Sequence, residues 1–535
     1  KPTKIMTQLI VCEKYRIARA VAKALKATRK LRHGVYANGE ITVAFVRKDF
    51  IMPTPLSDMA DGRLPFVPAK YKMSVNDKVT DRRLKRLFRS AKEVIFASGE
   101  GAEAQARFFN LCRHFRVGQP TSRMWLTSLD YQAIRQIYAK REKGRVLHDL
   151  AQAGLVNNGM ELLFSYNFSR VLDRWYYHGK SLTRQETIAM SFLGDVFNEY
   201  EEYINGAPQC RITLGSGGLC LTSDEAWNSR EECKAILDTI ETGVTVKAEM
   251  TVEEITDPAL SPQTMATLQM DAFDNLGYMP VKTIAVANRL YERGLITSPY
   301  THNPDMGIMP LRPLSPYSSE NERKLYDMIA GRMDAATLTP ETRQVATIKV
   351  EIAGVTFSYT WEIKEPKPGY VGTSKQEFTI EGTSVVPVER EKPRELFTFS
   401  AVLYNLQKIL AATDIYGHVR MPYSGYDHEW GTAIEGLAEK GFIAIDSDGI
   451  ISLTDEGRRL AVDIEPYNLF DTLRNPDFSP NAVLRGDLKG RQAITNFEKW
   501  LTATVGDIHK YVPKEDNGDT PKGEISDEIP ALPEK

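Results

Sequence analysis

Two segments near the beginning of the chain each combine a continuous apolar run with a helical pattern. Residues 5–12 are mostly apolar, and apolar positions then recur at helical spacing after Glu13-Lys14. Residues 94–97 (Val-Ile-Phe-Ala) form a second apolar run, which ends in the glycine-rich turn 98–101 before a helix predicted over 102–115. Such short runs are typical of buried strands. The pattern predicts an α/β domain with a site at the carboxyl edge of its sheet.

The rest of the chain divides into helical and β segments. Residues 129–202 and 396–510 carry helical patterns, and the second of these contains a short two-stranded wing around 446–449. Apolar and polar residues alternate over 345–364 on both sides of Ala353-Gly354, which predicts a β-hairpin. This hairpin is expected to join a sheet whose strands come from distant segments.

Residues 253–339 are predicted to be helical between the two β segments. Thr283 is the predicted N-cap of one helix in this segment. Gly294 stands where a glycine commonly follows the last helical residue, because it can adopt a left-handed backbone conformation.

Composition narrows the class of protein. The 535 residues are 42% hydrophobic and 26% charged, as in ordinary globular proteins. No apolar stretch approaches the roughly 18 residues of a membrane span, and the first ten residues do not resemble a secretory signal. Five cysteines without a Cys-x-x-Cys pair argue against a zinc ribbon and fit reduced thiols. We therefore expect a multidomain cytoplasmic protein with no membrane partner.

Charge is distributed unevenly along the chain. The formal net charge is only −2, but basic clusters occur at 16–32, 82–92 and 135–145, and the residues from 512 onward are acidic. This balance excludes a protein that is basic over its whole surface. It still allows a basic channel or face that binds nucleic acid.

Several short runs, in the same order along the chain, resemble the type IA DNA topoisomerases, nearest to the topoisomerase III branch. The resemblance covers about residues 6–505. It rests on five runs: Leu9-Ile10-Val11-Cys12-Glu13-Lys14, Arg123-x-Trp125-x-x-Ser128-Leu129, Asn167-Phe168-Ser169-Arg170, Leu290-Tyr291-Glu292-Arg293-Gly294-Leu295-Ile296-Thr297 and Leu453-Thr454-x-x-Gly457. The fourth run, which in the family leads to the cleavage tyrosine, is the most specific.

The resemblance implies a multidomain toroid that combines α/β, α and β parts. The expected parts are a TOPRIM α/β domain (1–128), a first helical segment (129–202), a first β-arch segment (203–252), a helical cleavage-type domain (253–339), a second β-arch segment (340–395), a helical winged-helix-like domain (396–511) and an acidic disordered tail (512–535).

The residues that cleave DNA in the family are largely replaced in this chain. The family's nucleophile, a tyrosine that holds the broken strand covalently, should follow Ile296-Thr297. Here Ser298 takes its place, Tyr300 takes the place of an arginine, and His302 replaces an aspartate. Two residues of extended chain displace the tyrosine by about 6–7 Å, and a displacement of about 1 Å can cost about 10²-fold in rate. The candidate catalytic residues are Tyr300, Glu13, Lys14, Ser298 and His302.

The expected magnesium site is also altered. The family's Asp-x-Asp-x-Glu corresponds here to Gly99-x-Gly101-x-Glu103, which removes both aspartates. Glu13 and Glu103 persist, and Glu100 adds one carboxylate. These three are the candidate metal ligands, and so few carboxylates hold Mg²⁺ only weakly.

Four further residues match positions that line the single-strand path in the family. They are Arg123, Asn167, Arg170 and Arg184. Arginines at such positions contact phosphates or bases of a single strand, although each of the three could instead serve as a structural ion-pair partner.

Framework positions therefore survive, whereas substitutions concentrate where the chemistry would occur. The pattern favours a catalytically impaired protein that binds single-stranded or melted DNA as a clamp or accessory subunit of a DNA-processing or DNA-transfer machine. An active strand-cleaving enzyme that uses Tyr300 is the first alternative. A structural or protein-binding module that has inherited the ring is the second.

Overall fold

The computed structural model describes most of the chain. The described residues are 8–55, 64–68, 71–175, 177, 179–206, 209–256, 260–300, 307–337, 342–365, 371–388, 397–413, 429–467, 469, 472 and 475–510. The predicted acidic tail and His302 lie outside them. Within this part of the chain, no helix is long and apolar enough to cross a membrane.

An N-terminal sheet of six strands carries the predicted α/β pattern. Its order is β2–β3–β4–β1–β7–β8, and β4, β1, β7 and β8 run parallel. A separate hairpin, β5 with β6, follows β4. The strands are β1 (Gln8–Cys12), β2 (Arg29–Lys30), β3 (Tyr36–Ala37), β4 (Ile41–Phe45), β5 (Ile51–Pro55), β6 (Tyr71–Val75), β7 (Glu93–Ser98) and β8 (Thr121–Trp125).

Alternation along β1 determines which helices cover each face of this sheet. Leu9 and Val11 belong to an apolar cluster with α2 (Lys78–Ser90) and α3 (Ala102–Phe115). Ile10 and Cys12 point to the opposite face, which α1 (Tyr15–Ala24) and α4 (Tyr131–Ala139) cover. Because side chains alternate between the faces of a strand, both faces of the sheet are buried, as the continuous apolar run predicts.

The largest apolar core joins helices from the middle and the end of the chain. It contains Phe164, Phe168, Trp430 and Phe442, all almost completely buried. The helices are α5 (Arg145–Arg174), α6 (Arg184–Asn205), α11 (Phe399–Thr413), α12 (Glu429–Glu439), α13 (Asp455–Ile464), α14 (Pro480–Arg485) and α15 (Gly490–Lys510). The predicted wing is present as β16 (Ile443–Ile445) paired with β17 (Ile451–Leu453).

A second, antiparallel sheet is assembled from two distant segments of the chain. Its order is β14–β11–β12–β13–β10–β9–β15, and α7 (Arg230–Leu237) packs against it. The predicted hairpin is confirmed as β12 and β13, whose ends Ile352 and Val355 pair across Ala353-Gly354. The strands are β9 (Cys210–Ser216), β10 (Leu219–Ser223), β11 (Thr245–Thr256), β12 (Thr342–Ile352), β13 (Val355–Glu362), β14 (Gly372–Thr379) and β15 (Gly382–Pro387).

Three helices, α8 (Met265–Leu276), α9 (Pro280–Glu292) and α10 (Glu320–Ala336), pack against the N-terminal sheet. The prediction that Thr283 caps a helix is wrong, because α9 begins three residues earlier with proline at its first position. Gly294 follows the helix with φ +67°, as expected. The helical prediction for 253–339 also begins too early, because β11 continues to Thr256.

Gly154 determines how closely α5 approaches α3, and its replacement tests this contact. A Cβ atom at Gly154 would overlap the carbonyl oxygen of Ala102, so we expect Gly154→Ala to reduce the free energy of unfolding by about 1–3 kcal/mol. Gly331→Ala on α10 is the matched control, since a Cβ there meets nothing within 4 Å, and should add about 0.5–1 kcal/mol. Calorimetric melting of both variants measures this; equal shifts would contradict the close approach.

Candidate functional site at the edge of the N-terminal sheet

The predicted site residues from opposite ends of the sequence meet at the carboxyl edge of the N-terminal sheet. Glu13 follows β1 and the turn 98–101 follows β7, and these two parallel strands pair at Cys12 and Ala97. Ser298 lies in the loop after α9. It is fully buried, and a Cβ atom built on Gly99 would lie 3.8 Å from its hydroxyl oxygen. The position that resembles the family's tyrosine therefore faces the position that resembles its first aspartate.

Backbone contacts hold Ser298 in this place. Its N–H donates to the carbonyl oxygen of Thr127 at 2.7 Å, and the hydroxyl oxygen accepts from the Tyr300 N–H at 3.3 Å. The side chain is also too short to extend further into the edge. Serine attacks a phosphodiester only when a neighbouring base takes its proton, and no such base stands among the hydrogen-bond partners that the structure gives this hydroxyl.

Tyr300 directs its phenol towards its own helical unit. The phenol oxygen accepts a hydrogen bond of 2.8 Å from Nδ2 of Asn288 on α9. The ring packs at the margin of the apolar cluster below α9, and burial raises the pKa of the phenol above its usual value. A raised pKa disfavours the phenolate, which is the reactive form of a tyrosine nucleophile.

The carboxylate of Glu13 forms an ion pair with an arginine. Nε and Nη2 of Arg107 both donate to its Oε1, at 2.9 and 2.7 Å. Burial alone would raise the pKa of Glu13, but the guanidinium of Arg107 and the ammonium of Lys48 outweigh it, so this pKa lies below its usual value of 4.5. The carboxylate is thus ionised and already neutralised by cations of the protein.

The described side chains do not fit a magnesium site at this edge. The cavity beside Glu13 has a volume of about 10 Å³, room for about one water molecule, and Arg47, Lys48 and Arg107 are among the residues that line it. The carboxylate of Glu103 forms an ion pair with Nη1 of Arg107 at 3.9 Å and accepts a hydrogen bond from Nδ2 of Asn157 at 3.3 Å. Nowhere in the described ranges do three acidic, histidine or cysteine side chains form a group able to hold a metal ion.

The turn between β7 and α3 has a shape that its glycines require. Gly101 is the N-cap of α3 with φ +130° and ψ 145°, a backbone conformation that residues with a side chain rarely adopt. Gly99 has no such conformation. A side chain at position 101 would therefore be strained, and Glu100 sits half-exposed on this turn.

An ion pair joins the two sides of the site. Nζ of Lys14 lies 2.7 Å from Oε1 of Glu292, at the end of α9, and Arg16 lies 3.8 Å from the same carboxylate. Nearby, the buried phenol of Tyr291 donates to the carbonyl oxygen of Leu126 at 2.6 Å. Lys14 thus contacts the opposing helix, a role that the sequence did not predict.

Arg123 is a structural residue in this conformation. Its side chain is fully buried and donates to Gln105, Ser98 and the Gly99 carbonyl at 2.6–2.8 Å. Its guanidinium lies between the rings of Phe96 and Trp125, 4.6 and 4.4 Å from their centroids. Burial lowers the pKa of Arg123 to about 9, which leaves it charged at neutral pH. It shapes the turn, and contact with DNA would need this turn to open.

Asn167 and Arg170 lie one turn apart on α5 and hold different partners. The buried amide of Asn167 accepts from the Phe66 N–H at 2.7 Å and donates to the Phe66 carbonyl at 2.9 Å, which pins the loop 64–68 to the helix. Arg170 is half-exposed, and its guanidinium stacks on Tyr166 at 4.1 Å. Phe66 lies 4.4 Å from the Tyr166 ring. Phe66, Tyr166 and Arg170 thus form a half-exposed group of two aromatic rings and a guanidinium, which we call the aromatic cluster.

Arg184 lies at a buried polar junction of α5, α6 and α12. It donates to Glu161 at 2.6 Å and to Asn157 at 3.0 Å. Gln185 bridges Glu161 to Glu429 with bonds of 3.1 and 3.0 Å. Burial, with Glu103 and Glu161 close by, raises the pKa of Glu429 to about 8. Because Arg184 is only 1% exposed, its predicted DNA contact stays a prediction.

Three residues of the site were missed from the sequence: Arg107, Asn288 and Glu292. Arg107 stands four residues after Glu103, on the same face of α3, so its spacing was a usable signal. Asn288 and Glu292 are likewise four residues apart on α9. Nothing in the sequence indicates which residues across the site they would contact.

Comparison of the fold identifies the class of protein. The structure is similar to that of full-length topoisomerase I from Thermotoga maritima, with a TM-score of 0.61 and 17% identity over 93% of this chain and 90% of that one. The chain thus has the multidomain toroid fold of the type IA topoisomerases.

Sequence relatives agree with this class. No family model matches the chain. It is similar to DNA topoisomerase 3 of Staphylococcus aureus strain MRSA252 and to a putative DNA topoisomerase 3 of the bovine strain RF122 / ET3-1, each 23% identical over 94% of this chain and 82% of the relative. The chain is a type IA topoisomerase-like protein, as the resemblance predicted.

The Glu13–Arg107 pair predicts a pH-dependent contribution to stability. Arg107→Ala leaves a mostly buried carboxylate without its partner, so we expect a loss of about 3 kcal/mol at pH 7. Since the folded pKa of Glu13 is depressed, the pair stabilises fully above about pH 4.5 and this contribution is lost as pH falls through the folded pKa. Urea unfolding at pH 7 and pH 3.5 measures it. Arg113→Ala, exposed on the same helix, should change little, and a loss independent of pH would contradict the assignment.

Glu429 predicts the opposite pH dependence. Its folded pKa of about 8 exceeds the unfolded value of 4.5, so the fold loses stability as pH rises from about 4.5 to 8. Glu429→Gln mimics the neutral carboxyl, and its advantage in melting temperature over the wild type should grow from pH 5 to pH 9. Glu439→Gln, exposed on the same helix, is the control. A constant difference across this range would refute the raised pKa.

Proposed function

We propose that this protein binds single-stranded or locally melted DNA in a type IA topoisomerase fold and does not cleave it. Its role would be that of a clamp or accessory subunit in cytoplasmic DNA processing or transfer. The observation that carries the proposal is the pairing of Ser298 with Gly99 at the edge of the N-terminal sheet. Ser298, a short side chain without a base beside its hydroxyl, stands where the resemblance places a tyrosine. Gly99 stands where it places an aspartate.

Electrostatics at this edge support binding without metal chemistry. The cavity beside Glu13 is lined by Arg47, Lys48 and Arg107, which would repel a divalent cation. Cations are suited to phosphate oxygens, so these three side chains would attract a DNA backbone to the outside of this edge. A phosphate near the edge would not be attacked, because Tyr300 is engaged with Asn288 and its pKa is raised.

The aromatic cluster supports a preference for single strands. Unpaired bases stack on aromatic rings and on arginine guanidinium planes, whereas paired bases are not accessible for such stacking. Phe66, Tyr166 and Arg170 provide these groups side by side. Asn167 then acts as a positioning residue, since it holds the backbone of Phe66 in place.

A plasmid assay tests the loss of cleavage. We expect no relaxation and no nicking of supercoiled DNA with or without Mg²⁺, and no covalent DNA–protein adduct on denaturing gels. Tyr300→Phe should behave as the wild type in all three measurements. An adduct that forms with the wild type and disappears in Tyr300→Phe would establish the alternative, an active strand-cleaving enzyme.

An oligonucleotide binding assay tests the aromatic cluster. Loss of one stacking ring costs about 1–3 kcal/mol, so Tyr166→Ala should weaken binding of a single-stranded oligonucleotide about fivefold or more. Tyr404→Ala is the matched control, because Tyr404 is also an exposed tyrosine beneath a cation, Lys408 at 4.6 Å. Absence of single-strand binding at low salt would reject the proposal and favour a structural or protein-binding module.

A further inference from the structure

Two basic segments that are separated in sequence are joined beside the N-terminal sheet. Residues 26–33 contain four lysines and arginines and no carboxylate, and residues 78–92 contain seven and one carboxylate. Nη1 of Arg83, on α2, donates to the carbonyl oxygen of His33 at 2.9 Å and so joins α2 to the loop that carries Arg29, Lys30 and Arg32. The fold thereby concentrates positive charge in a chain whose net charge is −2.

Five cations of α2 lie along one face of the helix. Counted from Lys78, they follow one another at spacings of four, three, one and three residues, which places them on the same side of the helix. The opposite side of the helix is buried through Leu84 and Phe88. At 1.5 Å per residue the row is about 16 Å long. We call it the basic row; its members, all exposed, are Lys78, Arg82, Lys85, Arg86 and Arg89.

Acidic side chains do not neutralise the basic row. The carboxylate of Asp77 caps the helix by accepting from the N–H groups of Val79 and Thr80. The carboxylate of Asp81 bonds to Nε2 of His114 at 2.6 Å. Through the described ranges, the salt bridges of the protein include none that uses a member of the basic row.

This arrangement costs stability within the fold. Arg82 and Arg86, and likewise Lys85 and Arg89, are like charges four residues apart on a helix, and each such pair destabilises it by about 0.2–0.5 kcal/mol. Among the described residues, no ion pair of the basic row offsets this repulsion. An external polyanion would offset it.

We propose that the basic row binds the phosphate backbone of duplex DNA, at a surface separate from the aromatic cluster. The row contains no aromatic residue on which an unpaired base could stack. It is also an open helix face rather than a groove. Duplex DNA presents about one charge per 1.7 Å along its axis, the denser target for such a row. This surface goes beyond the proposed function, because it would hold double-stranded DNA next to a single-stranded segment bound elsewhere.

A fourfold charge-removing variant, Arg82→Gln with Lys85→Gln, Arg86→Gln and Arg89→Gln, tests the proposal in the full chain. Glutamine is a good helix former, and circular dichroism and thermal melting verify that α2 persists. We expect affinity for a fluorescent duplex of random sequence to fall at least about tenfold at about 0.1 M salt. The slope of log affinity against log salt should become less steep by up to about 3.6, at about 0.9 per lost phosphate contact.

The matched control removes four exposed lysines from the second sheet and its helix α7: Lys234→Gln, Lys247→Gln, Lys349→Gln and Lys375→Gln. It changes net charge equally and should leave duplex affinity within about twofold. The corresponding Arg82→Lys, Arg86→Lys and Arg89→Lys variant keeps the charges and should bind as the wild type.

Other outcomes overturn the proposal. An unchanged salt slope for duplex, or an equal loss in the control, would remove the basic row as a duplex site. The proposal would also be overturned if the fourfold variant lost single-strand binding and kept duplex binding. Binding of anionic phospholipid vesicles by the basic row in place of duplex DNA would overturn it as well. Failure of the proposed function can be distinguished from failure of the duplex site. In the first case Tyr166→Ala leaves single-strand binding intact, whatever the duplex assay gives.

Discussion

The packing of α8–α10 against the N-terminal sheet is the contact on which the site depends. Leu268, Val286 and Leu290 share one apolar cluster with Ile10 and Cys12 of β1. Because these side chains are buried against the sheet, the interface fixes the position at which the chain leaves α9. Ser298 is held against Gly99 by this interface, and the Lys14–Glu292 ion pair lies beside it. Without the apolar contact, neither geometry would exist.

The polar groups of the site are engaged with one another in a chain that has the fold of the type IA topoisomerases. Glu13 is tied to Arg107, and Arg123 is buried between two aromatic rings. Each of these contacts supports the fold by satisfying a buried charge. Together they stabilise the carboxyl edge of the sheet from within the protein.

Much of the fold could be predicted from the sequence, because the relevant signals are local. The extent of α3 over 102–115 and the hairpin at Ala353-Gly354 follow from periodicity and turn residues. The start of α9 was misjudged, because Pro280 at the first helical position is a stronger signal than Thr283. Strand β11 runs past the expected end of its segment because pairing with β12 continues to Thr342.

The site was only partly predictable. Glu13, Gly99 and Ser298 were identified by resemblance, and the structure brings them together. The burial of Arg123, Asn167 and Arg184 was not predictable, since a sequence does not show whether an arginine faces solvent or an aromatic pair. Arg107, which neutralises Glu13, is 94 residues away from it in sequence, and only its spacing from Glu103 gave a local hint.

The backbone conformation at Gly101 limits which residues this position can carry. Its φ of +130° is accessible to glycine and strained for aspartate. An aspartate at position 101 would therefore carry main-chain strain as well as a carboxylate, while Glu13 would still be paired with Arg107. The shape of the main chain thus selects glycine at this corner of the sheet.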